Sequence, residues 1–203
     1  MIGRSRRDAG QAFPIYVVMV AGLLFLVFAF FAVGKAAALR NGAQGAADAA
    51  ALAAAQQTRE DFGAPFLASL PGNMLEQFLQ VHAVTGCTAA QGLAAANQAD
   101  VVSPCQTTRA GYRDRITVEV EGRKPVDSSV IPGTKKKFAK ATATAIVEFR
   151  CLGWKAFDFN DDGFQDLYIF PCGDAGVVEI EPSNPPPWSE VRKSLYDVHL
   201  VDN

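Results

Sequence analysis

Residues 158–166 read Asp158, Phe159, Asn160, Asp161, Asp162, Gly163, Phe164, Gln165 and Asp166, a pattern of the form D-x-N-x-D-G-x-x-D. Alternate Asp and Asn side chains on a short loop offer oxygen donors, and calcium takes several such donors at about 2.3–2.6 Å. Asp158, Asn160, Asp162 and Asp166 are the candidate side-chain ligands, Phe164 adds a backbone carbonyl, and Gly163 permits the sharp turn. Ile169 stands where a full EF-hand loop carries its bidentate Glu, no helical pattern flanks the loop, and the motif occurs once. The competing reading is a β-hairpin turn, because Asn, Asp and Gly favour turns on steric grounds. A bound cation would serve to stiffen the loop between Cys151 and Cys172.

Four cysteines, Cys87, Cys105, Cys151 and Cys172, supply the second chemistry. An even count in an exported domain points to two disulfides, and four cysteines allow three connectivities. The sequential pairing, Cys87–Cys105 and Cys151–Cys172, closes the shortest loops and is the preferred one. The CxxC-like spacing of a metal site is absent. The two histidines lie far apart: His82 falls at the edge of an apolar helical stripe, which suits a half-buried structural role, and His199 has no motif around it. The chain shows no nucleophile motif, no phosphate-binding glycine loop and no HExxH, so it is not expected to be an enzyme. An exported enzyme is the weakest reading. Lys135, Lys136, Lys137 and Lys140 form a basic cluster without interleaved aromatics, and the net charge is −2, so nucleic acid is not an expected partner. Such a cluster suits a solvated loop or a guarded strand edge, with contact to anionic lipid or cell-wall polymer as the alternative.

The elements that position these residues begin with a segment foreign to a globule. Residues 12–34 carry no charge, and at 1.5 Å per residue a helix of that length spans about 34 Å, against a hydrocarbon core of about 30 Å. The run exceeds the apolar stretch of a cleaved signal, and no small-x-small cleavage site precedes Lys35 and Arg40. A retained single membrane span is expected. Arg4, Arg6 and Arg7, offset by Asp8, precede it and weakly favour a cytoplasmic N-terminus. The first 34 residues are then net positive, while the remainder carries 16 basic and 20 acidic residues and faces outward.

Beyond the span, nine of the thirteen residues 43–55 are Ala, the best helix former, and nothing over residues 35–60 stops a helix firmly. One helix of roughly 70 Å is expected over residues 13–60. Gly42, Ala46, Ala49, Ala50 and Ala53 form a small-residue face that admits close packing. That face meets either other subunits or the protein's own sheet. Residues 75–82 and 89–100 read as short helices. Residues 112–121, 138–149, 167–170 and 177–180 read as strands, the first two by clear alternation. The expected fold is α+β: basic tail 1–11, transmembrane helix 12–34, Ala-rich stalk 35–60, and a disulfide-stapled domain 61–203 with an antiparallel sheet whose apolar face packs on the long helix, as in pilins. Residues 182–188 (PSNPPPW) read as an extended spacer. The final segment is ambiguous between a helix and an edge strand.

The order of tail, span and phrase carries a resemblance. RRDAGQAF, the apolar run and LRNGAQGAADAAALAAAQ resemble the N-terminal region of the TadE/TadG-like proteins of Tad (tight adherence, Flp pilus) assembly. The matching residues are Arg6, Arg7, Gly10, Arg40, Gln44, Ala46, Ala47, Asp48, Ala49, Ala50, Ala51, Leu52 and Ala53. The resemblance covers about a quarter of the chain. It implies a bacterial envelope protein with a single membrane pass, acting in pilus assembly or as a minor pilin, with the bilayer, secretion-machinery subunits or its own copies as partners. Some relatives are processed after a Gly that precedes a Glu by five residues. Gly10 is the candidate here, but the fifth residue after it is Ile15, which favours an intact anchor. The acidic loop separately resembles the calcium loops of dockerin, thrombospondin-type and integrin-propeller repeats. It supports a second reading, a membrane-anchored, calcium-stiffened binding module.

Overall fold

The computed structural model describes residues 12–125 and 136–201. The expectations placed on Arg4, Arg6, Arg7, Asp8, Gly10 and Lys135 lie outside the described residues. Helix α1 runs without interruption over Ala12–Asp61. Ala, Leu, Phe and Val propagate it, and Pro14 falls in its first turn, where a missing N–H costs least. At the standard rise its 50 residues span about 75 Å.

A mixed domain wraps the C-terminal half of α1. Three short helices follow, α2 (Gly63–Ser69), α3 (Leu75–Val81) and α4 (Cys87–Ala96). Helix α4 is shorter than its Ala-rich stretch. Gln98, with φ 59°, turns the chain into β1 (Ala99–Val101), so the segment expected as helix over 89–100 ends in a strand. Strands β2 (Gln106–Ala110), β3 (Arg113–Pro125) and β4 (Phe138–Phe149) complete the centre of the main sheet. Then come β5 (Lys155–Phe157), β6 (Leu167–Pro171), β7 (Val177–Ile180), α5 (Trp188–Leu195) and β8 (Tyr196–Val201). The ambiguous C-terminal segment is therefore both a helix and a strand. The expected extended spacer over 182–188 differs at both ends: residues 182–184 turn, with the Asn184 N–H donating to the Glu181 carbonyl at 3.0 Å, and Trp188 opens α5 after Pro187, whose ψ is 134°.

The strands form two antiparallel sheets rather than one. The larger has the order β1-β3-β4-β8, with β2 sharing the β3 edge with β1, and the smaller is β5-β6-β7. Ala99 pairs with Gly122 and Gln106 with Thr117, so β1 and β2 occupy successive stretches of one long strand. Strands β1, β2 and β5 are too short or too polar to show alternation. They exist because a neighbour offers unpaired backbone groups, the long β3 for β1 and β2, and β6 for β5.

The main core lies between α1 and this sheet. Ala43, Ala46, Ala47, Ala50, Ala51, Ala54 and Ala55 are buried on the helix, facing Ile116, Val118, Val120, Ala143, Ala145 and Val147. Methyl groups on both sides let helix and sheet approach closely. At the far end of α1 sits an aromatic cluster centred on Phe66. Its ring lies 5.4 Å from Trp188, 5.9 Å from Phe170 and 6.0 Å from Phe78, joining α2, α3, α5 and both sheets. The Cys151–Cys172 disulfide ties the entry of β5 to the exit of β6.

Candidate functional site

Chain composition makes α1 two surfaces in one helix. Over its N-terminal half the large side chains stay exposed, from Val17 at 51% to Phe13 at 76%. Burying one such side chain is worth about 1.5–3 kcal/mol, so a run of them in water is strongly unfavourable. A contiguous apolar surface of this size marks a site for lipid or partner. The helix is long and apolar enough there to cross a membrane, with a mean hydropathy of 2.8 over its most apolar window. Over the C-terminal half the small face turns inward. Ala46 and Ala50 are buried, Ala49 and Ala53 are half-buried, and Gly42 is exposed with nothing near a Cβ placed on it. The seam meets the protein's own sheet and α4, and its buried set is wider than the predicted stripe.

Two devices hold the domain on the helix. Gly86, just before α4, approaches α1 so closely that a Cβ there would sit 1.8 Å from the Ala54 carbonyl oxygen. Its backbone N–H donates to Thr58 Oγ1 at 3.1 Å. At the end of α1, Trp188 Nε1 donates to the Arg59 carbonyl at 3.1 Å, satisfying one of the orphan acceptors of a helix terminus. Arg192 pairs with Glu60 beside it.

The buried polar group of the domain is His82–Asp114–Arg109. Asp114 Oδ2 lies 2.6 Å from His82 Nε2, and Asp114 Oδ1 accepts from Arg109 Nε at 2.7 Å. The other ring nitrogen of His82 lies 2.9 Å from the Phe78 carbonyl. Arg109 also donates to the carbonyls of Gln80 and His82, closing the end of α3. Every member is paired, so the group is a structural lock; His82 is half-buried, with its ring turned inward, as its place at the edge of the apolar stripe suggested. Sequence reasoning missed Asp114. The signal was its phase, because it precedes Ile116, Val118 and Val120 in the same alternation.

The acidic loop joins β5 and β6. Asp158 accepts from the N–H of Asn160 and of Gly163, Asn160 Oδ1 from Asp162, Asp162 Oδ1 from Phe164, and Asp166 Oδ2 from Phe159, over 2.8–3.3 Å. Positive φ at Asp161 (57°) and Gly163 (86°) completes the turn. The candidate ligands share one exposed loop, but their oxygens serve its own backbone. Among the described residues no three acidic, His or Cys side chains are gathered closely enough to hold a metal.

The cysteines divide. Cys151 and Cys172 are bonded, with Cα atoms 4.0 Å apart. Cys87 and Cys105 differ from the expected second bridge: both are free thiols. The first residue of α4 and the β1–β2 connection bring them to the lining of one cleft without a covalent link. Burial, then the hydrogen bond and charge of Cys87, push the Cys105 thiol up to about 12.

Comparison with known proteins bears on α1 alone. No curated protein and no solved structure matches the chain. Residues 10–57, which contain the exposed apolar run and all of the buried alanine seam, match the Tad family model, described as "Putative Flp pilus-assembly TadE/G-like", and this similarity supports involvement in Flp pilus assembly.

Proposed function

We propose that this protein is a single-pass envelope protein acting in Tad/Flp-type pilus assembly, either as an assembly factor or as a minor pilin-like subunit. The observation that carries the reading is one unbroken helix, exposed and apolar in its first half and packed into its own α+β domain in its second. A continuous helix fixes the domain at a set height and orientation above the bilayer, which a flexible linker does not. The role is structural, with no catalytic step. In this reading the N-terminus is cytoplasmic and the domain extracytoplasmic, and the partners are the bilayer and pilus or secretion-machinery subunits.

Deleting the gene is expected to reduce surface pili, with restoration by the full chain and none by a chain lacking residues 12–34. Unchanged pilus number and length after deletion would overturn the reading. Protease applied to cells stripped of outer barriers is expected to cut the domain; protection would reverse the orientation.

A calcium-stiffened loop that engages cell wall or a partner is the second reading. The alternation of Asp158, Asn160 and Asp162 in an exposed loop supports it. Calorimetry of the full chain with calcium is the test, and the absence of binding heat at millimolar calcium removes it.

A further inference from the structure

The end of the β3–β4 pair lies beside the point where α1 leaves its apolar run. Lys35, Ala38 and Leu39 of α1 line one cleft of about 290 Å³ together with Gly122 and Lys124 of β3 and Ala139 of β4. The headgroup zone on each side of a bilayer is roughly 5–7 Å deep, half the difference between its full and hydrocarbon thicknesses. Lys35 and Ala38 stand only about 1.5 and 6 Å of helix rise beyond Gly34, and helix tilt lowers these heights further. The cleft continues along α1 to Gly42 and Ala43, so its lining covers about 1.5–14 Å of helix rise beyond Gly34, and Lys124 and Ala139 belong to its β3–β4 wall.

Among the described residues the charge at this edge is one-sided. Lys124, Lys136 and Lys137 are exposed. The nearby carboxylates are engaged: Asp100 with Arg123 at 2.6 Å and Glu121 with Lys140 at 3.3 Å. Phe138, 43% exposed, adds an apolar ring at the same edge, of the kind that buries into the headgroup–acyl boundary beside lysines.

We propose that this strand edge docks onto the anionic phospholipid headgroups of the bilayer that α1 spans, giving the domain a second, electrostatic contact with the membrane. The inference rests on the membrane-anchor reading. The apolar helix fixes the height, and the lysines fix the face of the domain turned toward the lipid. Each lysine near an anionic surface is worth roughly fivefold, so the three together shift the docked-to-undocked ratio by about 100-fold.

The test uses the full chain carrying Phe138→Trp, placed in nanodiscs of phosphatidylcholine alone or mixed with phosphatidylglycerol, with bromine near the lipid glycerol as quencher. Trp188 lies at the far end of α1, so the parent chain supplies the background. Quenching is expected in the anionic discs and not in the neutral ones. It is expected to fall with added salt, and to fall in the combined Lys124→Gln, Lys136→Gln, Lys137→Gln variant. Equal quenching in both discs, or none in either, overturns the proposal. Flotation with neutral vesicles separates the two readings: a chain that fails to float has no anchor, whereas one that floats and is unquenched has an anchor without docking. An unchanged unfolding midpoint of the lysine variant shows that its fold is intact.

Discussion

Replacing Gly86 by Ala tests the closest approach in the fold. Gly86 has φ −70° and ψ 0°, a conformation Ala adopts freely. With no steric conflict, the substitution would stabilise by about 0.4–1 kcal/mol through the unfolded chain. The new Cβ instead falls 1.8 Å from the Ala54 carbonyl oxygen and 2.6 Å from Thr58 Oγ1. The first is helix backbone and cannot rotate away, so α4 must move off α1. Overpacking costs about 1–3 kcal/mol, and the displaced Gly86 N–H loses its buried bond to Thr58, about 1–3 kcal/mol more. A loss of about 3 kcal/mol is expected, equivalent to a midpoint drop of roughly 6–12 °C for a chain of this size. Gly92→Ala is the internal control, since it lies within α4 with nothing within 4 Å of its Cβ. It is expected to stabilise by about 0.5–1 kcal/mol. Thermal unfolding in nanodiscs, followed by tryptophan fluorescence, reads both. If Gly86→Ala behaves like Gly92→Ala, α4 does not press on α1 and the packing argument fails.

Asp114→Asn leaves Arg109 without its charge partner in a buried group and is expected to cost about 3 kcal/mol in urea unfolding. A change below about 0.5 kcal/mol would remove the lock between α3 and β3. Burial pushes the Tyr168 hydroxyl up to about 12, and burial with the Asp114 charge raises Tyr196 well above its usual value. The unfolded chain then releases these protons first, so the stability is complete below about pH 10, and the Tyr168 share of it is lost as pH rises through about 12. Tyr196 Oη is buried without a partner among the described residues. Tyr196→Phe is therefore expected to add about 1 kcal/mol at neutral pH and to move alkaline unfolding upward; an unchanged or lower midpoint would refute this. Non-reducing peptide mapping is expected to recover Cys151 linked to Cys172. With Cys105 pushed up to about 12, that thiol is expected to alkylate slowly at pH 8 unless the chain is unfolded, and rapid labelling in the native state would contradict its environment.

Much of the architecture was legible in local patterns. An uncharged run followed by an alanine-rich run specifies an unbroken helix, because propensity and the absence of breakers act within a few residues. That helix was found over Ala12–Asp61. Strands β3 and β4 were visible because alternation survives in their residues, and β6 and β7 as short runs of aromatic and β-branched residues. The acidic loop was readable as a turn for the same local reason. Strands β1, β2 and β5, and hence the second sheet, were not, because three to five residues carry too little pattern and the pairing depends on the backbone that a neighbouring strand presents.

The sequence by itself determined which stretch is long and apolar enough to cross a membrane and where the charged residues resume, because desolvation is a property of composition. Only the tertiary structure decided what the small residues are for. Ala46 and Ala50 meet the protein's own strands, Gly86 fits where a single methyl group would strike backbone, and Asp114 is tolerable in the core because His82 and Arg109 reach it from other elements. It also decided that Cys87 and Cys105 are thiols lining one cleft rather than a bridge, and that Lys124 shares a cleft with Lys35. These are close approaches between segments distant in sequence. They depend on distances of an ångström or less, and no periodicity along the chain encodes them.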